Sequence, residues 1–104
     1  MARLIWTEPA LIDLDAIADY IALNNPTAAA HLVQQVFESV ARLERLPTSG
    51  KRPPELPHSP NREVIVSPCR VFYRMEGDTV YLLHVMRAER LLRIFLLNER
   101  NKTK

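Results

Sequence analysis

A single cysteine, Cys69, excludes an internal disulfide framework. With only Gly50 and Gly77 available, no glycine-rich loop can cradle a phosphate chain. Long apolar runs are also missing. Ile94-Phe95-Leu96-Leu97 is far too short to span a bilayer. The opening Met1-Ala2-Arg3-Leu4-Ile5-Trp6 lacks the extended apolar region of a signal peptide. These absences lead to the expectation of a cytoplasmic protein with no membrane partner. His31, His58 and His84 have no cysteine or carboxylate partners at ligand spacing, so neither metal nor cofactor is expected. Cys69 lacks the paired histidine of a nucleophile and reads as inert.

What is present suits one small globular domain. The chain has 104 residues, 47% hydrophobic and 25% charged, a balance that argues against disorder. Charge is unevenly spread. Residues 1–50 hold three basic and six acidic side chains, whereas residues 51–104 hold eleven and six. Such a split fits either ordinary solvated surface or a basic working half that meets an anionic partner.

Leu4-Ile5-Trp6-Thr7 suits a short strand, with Thr7 as helix cap and Glu8-Pro9 in the first turn. Ala10, Leu14, Ile17 and Ile21 then form one apolar helical face, and the aspartates 13, 15 and 19 read as solvated surface. Asn25-Pro26 restarts a helix whose stripe runs through Ala29, Leu32, Val33, Val36, Phe37, Val40 and Leu43 and ends at Leu46-Pro47. The joint is so short that the two helices must form an antiparallel hairpin. Five prolines between residues 47 and 61 make that segment a loop. Residues 62–66, 70–75 and 79–85 read as strands, the last two joined by a turn at Gly77. The last strand is apolar on both faces and is expected to be central. Residues 88–98 fit a helix or a strand, and 99–104 reads as a disordered polar tail beyond a domain of residues 1–98. The expected fold is α+β, in the order β-α-α-β-β-β, with the hairpin on one face of a mostly antiparallel, curved sheet.

Arginine is the chemistry that remains. Alternation places Arg70, Phe72 and Arg74 on one sheet face and Val71, Tyr73 and Met75 on the other. If the helices cover the second face, Arg70 and Arg74 stand on a bare concave face, with Arg62 on a neighbouring strand and Arg87 and Arg90 just after the last one. Guanidinium groups so arranged can hold phosphates or the acidic side chains of a protein. Scattered surface arginines are the plainer alternative. His84, in a central strand, reads as a hydrogen-bonded core residue.

Trp6-Thr7-Glu8-Pro9-Ala10, the run Asp13-Leu14-Asp15-Ala16-Ile17-Ala18-Asp19-Tyr20-Ile21-Ala22, Asn25-Pro26, Leu46-Pro47 with Gly50-Lys51-Arg52, and Arg70-Val71-Phe72-Tyr73-Arg74 occur in an order that resembles the RelE/ParE toxin superfamily over residues 4–90. The resemblance implies a toxin held inactive by a cognate antitoxin. Operator DNA would be met only through that antitoxin. RelE-like members cleave messenger RNA at the ribosome with basic sheet residues and a C-terminal Tyr or His. In this chain Arg62, Arg70 and Arg87 would be their counterparts. ParE-like members inhibit DNA gyrase by binding. No Tyr or His follows Arg87, and arginine does not serve as a base, so the ParE-like branch is favoured. The resemblance further implies that the antitoxin covers the hairpin groove and the sheet face near Arg70 and Arg74. Leu91 to Leu97 is more apolar than either branch requires; it packs on the sheet edge or serves a partner.

Overall fold

Thr7 ends one element and starts the next. Its N–H and its hydroxyl both donate to the Leu82 carbonyl, at 3.1 and 2.7 Å, and the hydroxyl oxygen accepts from the Ala10 N–H. Strand β1 (Arg3–Trp6) is thereby tied to the sheet at the point where helix α1 (Glu8–Ala22) begins. Asn25 caps helix α2 (Pro26–Ala41) by accepting from the Ala28 N–H, with Pro26 at the first helical position, where a missing N–H costs nothing. A 3-10 turn at Arg42–Glu44 follows. Strands β2 (Asn61–Val66), β3 (Cys69–Glu76) and β4 (Thr79–Arg87) form the meander, and a helix α3 (Ile94–Asn101) closes the chain. The computed structural model describes residues 1–102.

The sheet order is β1-β4-β3-β2, with β1 parallel to β4 and the other pairs antiparallel. The expected α+β fold, with a helical hairpin on one face of a mostly antiparallel sheet, is what the chain adopts. Leu14 of α1 and Leu32, Val36 and Val40 of α2 bury against Val71, Tyr73, Val80, Leu82 and Val85. Cys69 is buried in the same layer, and burial pushes its thiol pKa up. That layer is the main source of hydrophobic stabilisation.

The other sheet face is not bare. Phe72, Leu83, Met86 and Leu97 form a second apolar layer, with Leu56 of the proline-rich loop packed against it. α3 lies across this face and is pinned at its far end, where Asn61 and Asn101 exchange amide hydrogen bonds of 3.0 and 2.8 Å. This corrects two expectations. The face opposite the hairpin is covered because Leu97 has an apolar floor to fill. Residues 99–101 continue α3 and do not begin a disordered tail; residues 103–104 lie outside the described residues. Residues 88–93 are irregular, so the ambiguous segment resolves to a loop followed by a helix.

The long loop is anchored by Tyr73, whose hydroxyl donates to the Pro47 carbonyl and accepts from the Gly50 N–H. A Cβ at Gly50 would stand 2.5 Å from that hydroxyl and 2.8 Å from the Glu63 carbonyl, so only glycine allows the approach. Burial raises the Tyr73 pKa, which keeps the phenol protonated and able to donate.

Candidate functional site

Arg70 sits on β3 opposite Ile65 of β2, with its guanidinium 4.9 Å above the Phe72 ring. Its fork is occupied on two sides. Nε and Nη2 donate to the two oxygens of Glu63, at 2.7 and 3.1 Å, and Nη1 and Nη2 donate to the two oxygens of Glu55, at 2.7 and 2.8 Å. Glu63 is only 1% exposed, so its carboxylate depends on this arginine for compensation. The Arg70 hydrogen bonds hold Glu55 down to about 2 from its ordinary 4.5, against the opposing effect of burial. They also raise the Arg70 pKa, chiefly through Glu55 and then Glu63.

Because the folded-state pKa of Glu55 is depressed, its contribution is intact above pH 4.5 and is lost as pH falls toward about 2. Glu55 is a third exposed, so solvent screens part of the effect. Glu55→Gln is therefore expected to lower stability modestly at neutral pH, where the contribution is complete, to cost little near pH 2, and so to flatten the loss of stability across that window. Urea titrations at a series of acidic pH values measure this, and parallel curves for both proteins would refute it.

Arg74 lies on the same face. Its Nη1 donates to Glu76 at 2.9 Å and its guanidinium sits 5.3 Å from the Tyr81 ring, while Nε and Nη2 are buried with no hydrogen-bond partner among the described residues. Arg62 pairs with Tyr73 in the β2–β3 register and therefore points to the hairpin face, where Nη1 donates to the Gly50 carbonyl. Arg87, opposite Cys69, also points to the hairpin side, with its guanidinium 5.4 Å from the Tyr20 ring and Nε 2.6 Å from Glu89. Arg90 is exposed in the loop beyond β4. Arg62, Arg70, Phe72, Arg74, Arg87 and Arg90 thus do not share the single concave surface expected of them. Arg70, Phe72 and Arg74 share one face, Arg62 and Arg87 lie on the other, and Phe72 is fully buried.

A second polar cluster was not anticipated. β1 stops pairing with β4 at Leu82, which leaves the next stretch of that β4 edge open. Asp13 of α1 fills it. Its Oδ2 accepts from the Val85 N–H at 3.1 Å, from Arg100 Nη1 at 2.5 Å, and lies 2.7 Å from His84 Nδ1. Arg100 also donates to the Leu83 carbonyl. Burial opposes the Asp13 charge, but hydrogen bonds from His84, Arg100 and Val85 together hold its pKa below the ordinary value. Asp13 is therefore structural and not the solvated surface residue expected, whereas aspartates 15 and 19 are exposed. His84 is buried and hydrogen-bonded, as its position in a central strand suggested. It stacks on Phe72 at 5.8 Å, and Phe72 lies between it and Arg70. Asp13, Glu55, Glu63 and Arg100 are the residues that sequence reasoning missed. The signal for Asp13 was its spacing, since it borders the apolar stripe three residues after Ala10 and four before Ile17.

Among the described residues, no helix is long and apolar enough to cross a membrane. Residues 4–92 match the sequence model of a family described as the ParE toxin of the type II toxin–antitoxin system parDE. The chain is 33% identical over 92 residues to Toxin RelE2 of Caulobacter vibrioides, covering 88% of this chain and all of that protein. It is 38% identical over 88 residues to Putative toxin Y4kP of Sinorhizobium fredii, covering 83% and 88% respectively. Among solved structures, a chain of a chromosomal ParDE toxin–antitoxin system from P. aeruginosa superposes with a TM-score of 0.73 at 28% identity, over 86% of this chain and 98% of that one.

Proposed function

We propose, since this chain belongs to the family of ParE toxins of type II toxin–antitoxin systems, that it acts in the cytoplasm by binding DNA gyrase without turnover and is neutralised by a cognate antitoxin. The observation that supports a binding mode is the state of Arg70. The guanidinium best placed for a phosphate is held by two carboxylates, and Arg62 and Arg87 lie across the sheet from it. A phosphate arriving at Arg70 must displace Glu55 and still meet the negative charge of Glu63.

The similarity to a protein named RelE2 keeps one other reading in view: ribosome-dependent cleavage of messenger RNA, with Arg62, Arg70 and Arg87 as phosphate contacts. Purified chain is expected to inhibit gyrase-driven supercoiling at micromolar concentration and to leave translated messages uncut. Unchanged supercoiling together with cuts mapped in translated messages would replace the first reading with the second. Contact with operator DNA is expected only through the antitoxin.

A further inference from the structure

Glu89 pairs with Arg87 at 2.6 Å, whereas Arg90 and Arg93 are exposed and make no side-chain hydrogen bond or ion pair among the described residues. Both line a cavity of about 220 Å³ at the start of α3, whose inner wall includes Asp13, His84 and Met86. α3 begins there uncapped. Arg93 supplies no side-chain hydrogen bond, no acidic residue stands in the first turn, and the N–H groups of Ile94, Phe95 and Leu96 find no acceptor among the described residues. The positive end of the helix thus adds to two uncompensated guanidinium groups. Asp13 does not neutralise them, because its carboxylate already serves Arg100, His84 and the Val85 N–H. His84 is nine-tenths buried beneath them, its side chain 10% exposed. The two hydrogens of Arg100 Nη1 go to Asp13 and to the Leu83 carbonyl, so Nδ1 of His84 gives its own hydrogen to Asp13. The other ring nitrogen, Nε2, makes no hydrogen bond among the described residues and keeps access to solvent, which His84 meets at this cavity.

We propose that this cavity binds a terminal phosphate group, either free phosphate or the phosphomonoester end of a small molecule such as a mononucleotide. Arg90 and Arg93 close on its oxygens from the rim, each guanidinium able to take two of them. The free N–H groups at the start of α3 face an anion in the manner of other helix N-termini. His84 shares one proton with the ligand. A neutral ring accepts the P–O–H of the monoanion at Nε2, and a charged ring donates from Nε2 to the dianion, with Asp13 across the ring holding its orientation. Three terminal oxygens match these donors, which approach from three sides. A phosphodiester offers two such oxygens and needs room for a chain leaving on both sides; a carboxylate offers two in one plane. Arg70 is a poorer host, since Glu55 and Glu63 already hold its fork. The proposal does not rest on the gyrase reading, because it concerns a small ligand of the chain itself.

The test titrates the full chain with inorganic phosphate, AMP, adenosine and cyclic AMP at fixed ionic strength, which keeps general screening constant. Binding is read by calorimetry and by the nitrogen resonances of the His84 ring and of the first α3 amides. Phosphate and AMP are expected to bind saturably, cyclic AMP about tenfold more weakly or worse, and adenosine not at all. Equal affinities for phosphate and AMP assign recognition to the phosphate group alone; tighter AMP adds a contact to the nucleoside, and both support the site. Arg90→Gln/Arg93→Gln changes exposed side chains and is expected to weaken AMP by about tenfold or more. Arg42→Gln/Arg45→Gln, an equal charge change on exposed residues just past the end of α2, is expected to leave affinity unchanged. The wild-type Nε2 resonance should move on ligand addition, a readout that needs no substitution of the buried ring. No saturable binding at millimolar phosphate, equal losses in the two charge variants, or cyclic AMP binding as tightly as AMP would overturn the proposal. So would resonance changes gathered around Arg70 and Glu63 with His84 Nε2 unmoved. Loss of the gyrase reading leaves every one of these results unchanged.

Discussion

Replacing Arg70 by methionine is expected to destabilise the fold by about 3–5 kcal/mol, a large share of the about 5–15 kcal/mol that holds an ordinary domain folded. The reason lies in Glu63 more than in Arg70. Glu63 is fully buried beneath the loop that carries Glu55, and both Nε and Nη2 of Arg70 bind it. Removing the cation strands a carboxylate in a medium where its charge is poorly solvated. The double variant Arg70→Met/Glu63→Leu removes both charges and is expected to recover more than half of the loss, because buried pairs contribute little net stability over apolar side chains of similar volume. Urea unfolding of wild type, the two single variants and the double variant forms the cycle that measures this. Were Arg70 chiefly a free phosphate ligand, the single variant would unfold at the wild-type midpoint, and the structural role assigned to it would fail.

That result would also mark how far the sequence could be read. The hairpin was legible because its signals are local. Thr7 and Asn25 cap where their side chains suggest, and the apolar spacing of Ala10, Leu14, Leu32, Val36 and Val40 becomes the core. Alternation along β3 likewise assigned Val71 and Tyr73 to the hairpin side and Arg70, Phe72 and Arg74 to the other. Alternation does not say what covers a face, however. Leu97 lies inside the ambiguous stretch 88–98 and had no partner visible in sequence, so the second layer, and with it the engagement of Arg70, stayed hidden. Glu55 and Glu63 approach Arg70 from a proline-rich loop and a neighbouring strand, contacts fixed only by tertiary packing.

Parity failed at one further place for a defined cause. Counting by twos from Val80 and Leu82 puts His84 on the hairpin face. The register shifts between Phe72 and Tyr73, so that Tyr73 opposes Leu82 while Phe72 opposes His84. One extra residue on β4 therefore turns His84 to the Phe72 side and Val85 into the core. The same irregularity leaves the Leu83 carbonyl and Val85 N–H without strand partners at the edge where β1 has ended. Arg100 and Asp13 supply them.

Asp13→Ala follows as the second large effect, with an expected cost of about 3 kcal/mol. The truncation removes the acceptor shared by the Val85 N–H, Arg100 and His84, and so cuts the polar tie of α1 to both β4 and α3 in one step. Asp13→Asn keeps one carbonyl oxygen and is expected to cost about half as much, since it can serve the Val85 N–H but not neutralise Arg100. Asp15→Ala, two residues on and exposed, is expected to stay within about 0.5 kcal/mol of wild type. The sign with pH agrees. The folded-state pKa of Asp13 is depressed, so its contribution is complete above its ordinary value of 3.8 and is lost as pH falls below it. The pH slope of stability in that range should therefore be shallower in Asp13→Asn than in wild type. Amide exchange at Val85 gives an independent readout, because its hydrogen bond ends in the Asp13 side chain and in no strand. Equal stability of the Asp13→Ala and Asp15→Ala proteins, with Val85 still protected, would mean that the β4 edge is closed by something other than this carboxylate.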